Sequence, residues 1–171
     1  RFSWFMYIDS DEYLSCEAAE EIRSVVENQN QRTYVWWQPR KYVFDGKILD
    51  CATTYPNQQI RLFHRKWVSG FIKPIHERVQ IRSGAIIGSL KKFEYLPVEN
   101  LSSMKTRWRG YMEKELLMQS SSTIKKKLKL ILRQILLFLF FSVRYIKIIL
   151  LCRGVRMPFR YELGRHLFLL K

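Results

Sequence analysis

Ile8-Asp9-Ser10-Asp11-Glu12 sets three carboxylates directly after a run of aromatic and β-branched residues, Phe2 to Ile8. Two carboxylates flanking one small residue can hold Mg²⁺ or Mn²⁺, hard cations that take oxygen ligands. A cation held there would neutralise a diphosphate and stabilise its charge as it leaves. An Asp-x-Asp pair also occurs in ordinary solvated turns. Its position is what singles it out, because ligands of open α/β sheets bind outside the carboxyl ends of the strands.

Other residues could act with it. Glu77 follows His76 in a short segment. A carboxylate there could remove a proton from an attacking hydroxyl, with His76 orienting it or contacting phosphate. Pairing of Glu77 with Arg78 or Arg82 is the plain alternative. Arg61 stands between apolar neighbours, with Gln59 on the same strand face by period-two alternation. Its planar fork suits a diphosphate, or it could instead pair with Asp9 or Glu12 and hold the site's shape. Trp36, Trp37 and Tyr55 could stack on sugar rings, although strand aromatics more often fill cores. His64 and His166 read as structural. No Cys or His pair has zinc-ligand spacing. The three cysteines, Cys16, Cys51 and Cys152, are odd in number and scattered. They argue against a disulfide framework and for a reducing, cytoplasmic-side compartment.

The elements that must position these groups follow from periodicity. Phe2–Ile8 reads as a central strand of an α/β sheet. Ser15 is an N-cap for a helix carrying Ala18, Ala19, Ile22, Val25 and Val26, which should stop near Asn28 to Asn30. Residues 33–44 read as a strand interrupted at Pro39. Asp45-Gly46 is a hairpin turn into 47–51, and 52–58 is a polar loop. A strand is expected over 59–65, a turn over 70–74, extended chain over 75–81 and a strand over 85–90. Residues 98 to about 118 have helical spacing, and Ser120 to Thr123 reads as a linker.

Charge divides the chain. Residues 1–100 hold 14 Lys+Arg and 12 Asp+Glu, and residues 101–171 hold 16 and 3. A basic tail of this kind suits a polyanion, either nucleic acid or an anionic membrane face. Within it, 124–152 is a basic apolar helix. Only ten uncharged residues separate Arg133 from Arg144, whereas a span needs about 20 apolar residues. At about 100° per residue, Lys126, Lys129, Arg133, Arg144 and Lys147 share a sector of roughly 60°. One narrow cationic stripe on an apolar cylinder suits a helix lying in the membrane interface. Packing on its own domain is the plain alternative. The apolar content argues against a nucleic-acid face.

The same residues resemble family 2 glycosyltransferases, nearest to the branch that extends lipopolysaccharide core or related cell-surface glycans. Trp4, Asp9, Asp11 and Glu12 stand in the family's Trp-x-x-x-x-Asp-x-Asp-Glu pattern. Tyr55, Pro56, Gln59, Arg61, Leu62 and Phe63 match its Tyr-Pro-x-x-Gln-x-Arg-Leu-Phe stretch, and His76-Glu77 its His-Glu pair. The resemblance spans about residues 2 to 120. Where members often carry a later His, this chain has Leu90-Lys91-Lys92-Phe93. The resemblance implies a partial GT-A-like (Rossmann-like) mixed α/β sheet over 1–119, lacking the family's N-terminal half, with a basic tail of amphipathic helices over 120–171. It implies an inverting transfer from a nucleotide-sugar to a lipid-linked or cell-surface glycan. Asp9 and Asp11, with Asp11 the direct ligand, would hold Mg²⁺ or Mn²⁺ at the diphosphate. Gln59 and Arg61 would stand on the donor side and Glu77 would be the base. The enzyme would work at the cytoplasmic face of the cell membrane.

Overall fold

A computed structural model describes residues 3–28, 32–72, 78–104, 106, 109–110 and 124–169, with the backbone alone for 124–127, 129–131 and 165–169. The chain forms two compact units, 1–43 with 56–97 and 44–55 with 98–171. The expected division lay at 119/120; the segment 44–55 groups instead with the C-terminal residues.

The first unit is built on a mixed sheet of strand order β1 (Trp4–Met6), β5 (Asn57–His64), β3 (Val35–Phe44), β9 (Glu94–Pro97), β2 (Tyr13–Leu14). β1 and β3 run antiparallel to β5, and β3 runs parallel to β9 and to β8 (Ile87–Ser89). The opening strand therefore lies at one end of this order, not in its centre as its apolar run suggested. β3 is the central strand. Its chain is continuous through Pro39, and the register shift falls between Trp36 and Trp37. Pro39 is tolerated because β8 has ended at Trp37 and β9 begins only at Arg40. The buried Gln38 amide fills that gap, donating to the carbonyls of Pro39 (3.1 Å) and Lys92 (2.6 Å).

Helix α1 (Cys16–Glu27) starts where Ser15 accepts from the Ala18 amide and ends at Asn28, as its spacing predicted. The expected turn over 70–74 begins instead as strand: β6 (Val68–Ile72) pairs with β7 (Arg78–Ile81) in a separate two-stranded ribbon. Val35, Ile60, Phe63 and Val79 form the core, with Tyr7, Trp67, Val68, Ile81 and Ala85 packed on it.

The second unit contains β4 (Lys47–Ile48), helix α2 (Ile124–Leu151) and helix α3 (Phe159–Leu169). Asp45 and Gly46 both have positive φ, as the tight turn before β4 requires. Residues 101–104 are helical, opened by Asn100, whose Oδ1 accepts from the Ser103 amide; most of the expected helix to 118 lies outside the described residues. The loop read as polar is partly buried, at Ala52 and Thr53. Thr53 donates from its amide (2.8 Å) and its hydroxyl to the buried Glu162 carboxylate. Cys51 and Cys152 form a disulfide, which corrects the expectation of free thiols and removes that argument for a reducing compartment. Cys16 is free and exposed.

Candidate active site at the carboxyl end of the opening strand

The ladder between β1 and β5 continues one step past β1, with the Tyr7 amide donating to the Arg61 carbonyl. Two residues on, the chain turns. The Glu12 amide donates to the Asp9 carbonyl (3.0 Å), closing a turn over Asp9–Glu12. That turn brings two of its carboxylates to one guanidinium. Arg61 Nη2 donates to Asp9 Oδ2 at 3.0 Å and to Glu12 Oε2. The Asp9 side chain is 60% exposed, while those of Arg61 and Glu94 are wholly buried.

Three strands complete the cluster. Register sets Arg40 on β3 opposite both Asn57 on β5 and Glu94 on β9. Arg40 donates to Glu12 Oε1 (3.3 Å) and to Asn57 Oδ1 (3.0 Å), and Asn57 donates onward to the Tyr42 hydroxyl. Arg61 Nε lies 3.4 Å from Glu94 Oε2. The Arg61 guanidinium also covers the Tyr7 ring at 4.6 Å, and Gln59 donates to the Tyr7 hydroxyl.

Burial works against the charge of Arg61, but Glu94, Asp9 and Glu12 outweigh it and raise its pKa. Burial pushes the Glu94 carboxyl up to about 8, with Glu12 adding to the rise and Arg61 opposing it. A protonated Glu94 leaves Arg61 and Arg40 matched by Asp9 and Glu12. Among the described residues, the buried Arg61 Nη1 has no hydrogen-bond partner.

No known protein family, curated protein or solved structure matches this chain.

The site must therefore be judged on its own geometry. Asp9 and Arg61, fifty-two residues apart, are brought together. Arg61 takes the shape-holding role weighed for it, as partner of Asp9 and Glu12. Gln59 shares its face but is occupied by Tyr7. Asp11 is exposed in the same turn. His76 and Glu77 lie outside the described residues. Trp36 is half-buried and Trp37 exposed, so the second is not core. Tyr55 donates to the Leu49 carbonyl within the second unit. His64 is structural, its Nδ1 accepting from the Lys66 amide. A surface depression lined by Lys66, Trp67, Gln80 and Arg82 includes none of the cluster residues.

Among the described residues, no three His, Cys, Asp or Glu side chains are grouped to hold a metal ion. Asp9 gives one oxygen to Arg61, and its exposure leaves the carboxylate open on the solvent side. This arrangement fits a cation held by one or two carboxylates and substrate phosphates, not a cage made by protein alone.

Sequence reasoning passed over Arg40 and Glu94. One signal was available: Glu94 is a lone acid inside the run Phe93-Glu94-Tyr95-Leu96, and a carboxylate in such a run needs a buried partner.

Proposed function

We propose that the chain carries the site of an inverting glycosyltransferase that moves a sugar from a nucleotide-sugar donor to a lipid-linked or cell-surface glycan. One observation carries this reading. The Asp9-x-Asp11-Glu12 block and the Gln59-x-Arg61 block, matched separately to the glycosyltransferase pattern, meet at the end of β1 through the Arg61–Asp9 and Arg61–Glu12 pairs. A buried arginine behind an exposed carboxylate is a rigid backing for a charged ligand.

Asp9 and Asp11 would hold Mg²⁺ or Mn²⁺, which neutralises the donor diphosphate when bound. Arg61 holds Asp9 and Glu12, and Arg40 holds Glu12, so that these two carboxylates are pre-oriented before charge develops on the leaving group. Glu77 is the proposed base for the acceptor hydroxyl, with His76 beside it. Asp11→Ala should lower Mn²⁺-dependent transfer by about 10²–10³-fold, the loss typical of removing one stabiliser of developing charge. Undiminished turnover would reject the metal role of Asp11.

The acceptor class rests on the second unit. Its basic, apolar helix suits an anionic membrane surface, where a membrane-bound acceptor would meet the enzyme. A non-catalytic lipid-surface module is the second reading, favoured by the exposed apolar side chains of α2. Mutating the Asp9–Glu12 turn separates the two, because such a module would keep its membrane binding and have no transfer to lose.

A further inference from the structure

We propose that α2 lies in the plane of an anionic bilayer, rolled so that the face around Leu139 and Leu150 enters the acyl boundary and Arg133 and Lys147 lie at headgroup level. This rests on the membrane part of the reading above and adds to it an orientation and a fixed roll angle.

Three sectors of the helix support it. One sector faces its own unit. Phe141 is buried there, with Leu137, Tyr145 and Ile148 half-buried beside it. Arg144 donates to the Tyr55 carbonyl, Tyr145 packs on Phe159 with ring centroids 5.1 Å apart, and Cys152 is bonded to Cys51. Arg144 therefore does not join a lipid-facing stripe, contrary to its grouping by angle alone. The second sector is apolar and uncovered. Leu128, Leu132, Leu139, Val143, Ile146 and Leu150 are all exposed, Leu150 to 74%. At about 100° per residue they fall within roughly 40° of the direction opposite Phe141. The third sector carries two cations beside the exposed Leu136, Phe140 and Leu151. Arg133 and Lys147 are exposed and lie about 100° round from Phe141, on one flank between the other two.

Charge names the occupant. Beyond Glu115 the chain has one acidic residue, Glu162, and it is buried against Thr53. Arg153, Arg156 and Arg160 are exposed. An apolar face flanked by cations, with no solvent-facing carboxylate among the described residues after 123, matches anionic lipid.

Leu132–Leu151 is long and apolar enough to cross a bilayer, so the choice between crossing and lying flat needs its own argument. The loop 49–55 is fastened to the same stretch through Tyr55 and Cys51, and Asp50 accepts from the Val155 amide just beyond it. A crossing helix would carry this loop and its exposed Asp50 toward membrane depth, where an ionised side chain is costly.

The test uses the whole chain with Cys16→Ser and the disulfide intact, carrying an environment-sensitive dye on Leu132→Cys, Leu139→Cys, Leu150→Cys or Thr54→Cys. Vesicles are phosphatidylcholine alone or with roughly one-third phosphatidylglycerol as the anionic lipid. The protein should float with the anionic vesicles. Dyes at 132, 139 and 150 should report equal, shallow depth by lipid-borne quenchers, and the dye at 54 should stay open to iodide. Arg133→Gln with Lys147→Gln should weaken anionic-vesicle binding about 30-fold, at about 1 kcal/mol per cation. A dye at 139 much deeper than those at 132 and 150 would overturn the in-plane orientation while leaving membrane binding intact. No flotation with either vesicle would overturn membrane binding itself. Self-association through these positions without lipid binding would assign the face to a second copy and overturn the proposal.

Discussion

Arg61 is fully buried and shared between unequal partners: an exposed Asp9, a nearly buried Glu12 and a buried Glu94. Removing one member of a buried ionic group leaves the others uncompensated. Arg61→Met should therefore lower the unfolding free energy by about 3–5 kcal/mol. A urea midpoint that falls at constant slope would show it, and a loss under about 1 kcal/mol would mean the cluster is wetter than its burial indicates. Glu94 gives a pH signature. Its folded pKa, about 8, lies above its ordinary 4.5, so the folded state binds the proton more tightly than the unfolded chain. Its contribution is complete below about pH 4.5 and is lost as pH rises through about 8. Stability of the wild type should fall across that window, and Glu94→Gln should flatten the fall. An unchanged slope in the variant would place the proton elsewhere. The sequence offered Asp9 and Arg61, with their pairing as one of two readings. It could not offer the meeting of Arg40 with Glu94, which is a product of strand register between segments fifty-four residues apart.

Elements with a local signal were legible. Ser15 with Glu17 and the apolar spacing of α1 fix that helix by contacts within a few residues, and it stands where expected. Ser15→Ala should cost about 1 kcal/mol in thermal or urea unfolding, since the Ala18 amide loses its acceptor. Elements made by neighbours were not legible. β2 has two residues and is a strand through β9, Tyr13 opposite Tyr95 and Leu14 opposite Glu94, while the four residues of β9 are set by their pairing with β3. Pro39 misled for a similar reason. Its missing donor matters only where a neighbouring strand would use it, and β8 hands over to β9 at that residue. The opening strand looked central because its residues are apolar and aromatic. Its described flank carries β5 alone, and that run packs by ring contacts, Trp4 on Tyr34 and Phe5 on Phe63.

At the scale of the whole molecule, the charge division of the sequence anticipated two regions but not their interleaving. The segment 44–55 precedes much of the first unit in the chain and belongs to the second. Its fastening is covalent at Cys51–Cys152 and polar at Thr53–Glu162 and Asp50–Val155. Reduction of this disulfide, which closes a loop of 101 residues, should lower stability by roughly 2–4 kcal/mol, read as a drop in melting temperature. A side chain at Gly154 would overlap the Asp50 carboxylate, so Gly154→Ala should loosen the same fastening. If neither treatment moves the melting curve, that clasp contributes nothing to the fold.

The interleaving imposes an order on synthesis. Residues 44–55 leave the ribosome about a hundred positions before Cys152, the atom they must join, so the second unit is completed last. It also changes what a cut does. A protease site engineered at 120–123 would sever the backbone, yet the C-terminal piece would stay tethered and come away only when a reductant is added.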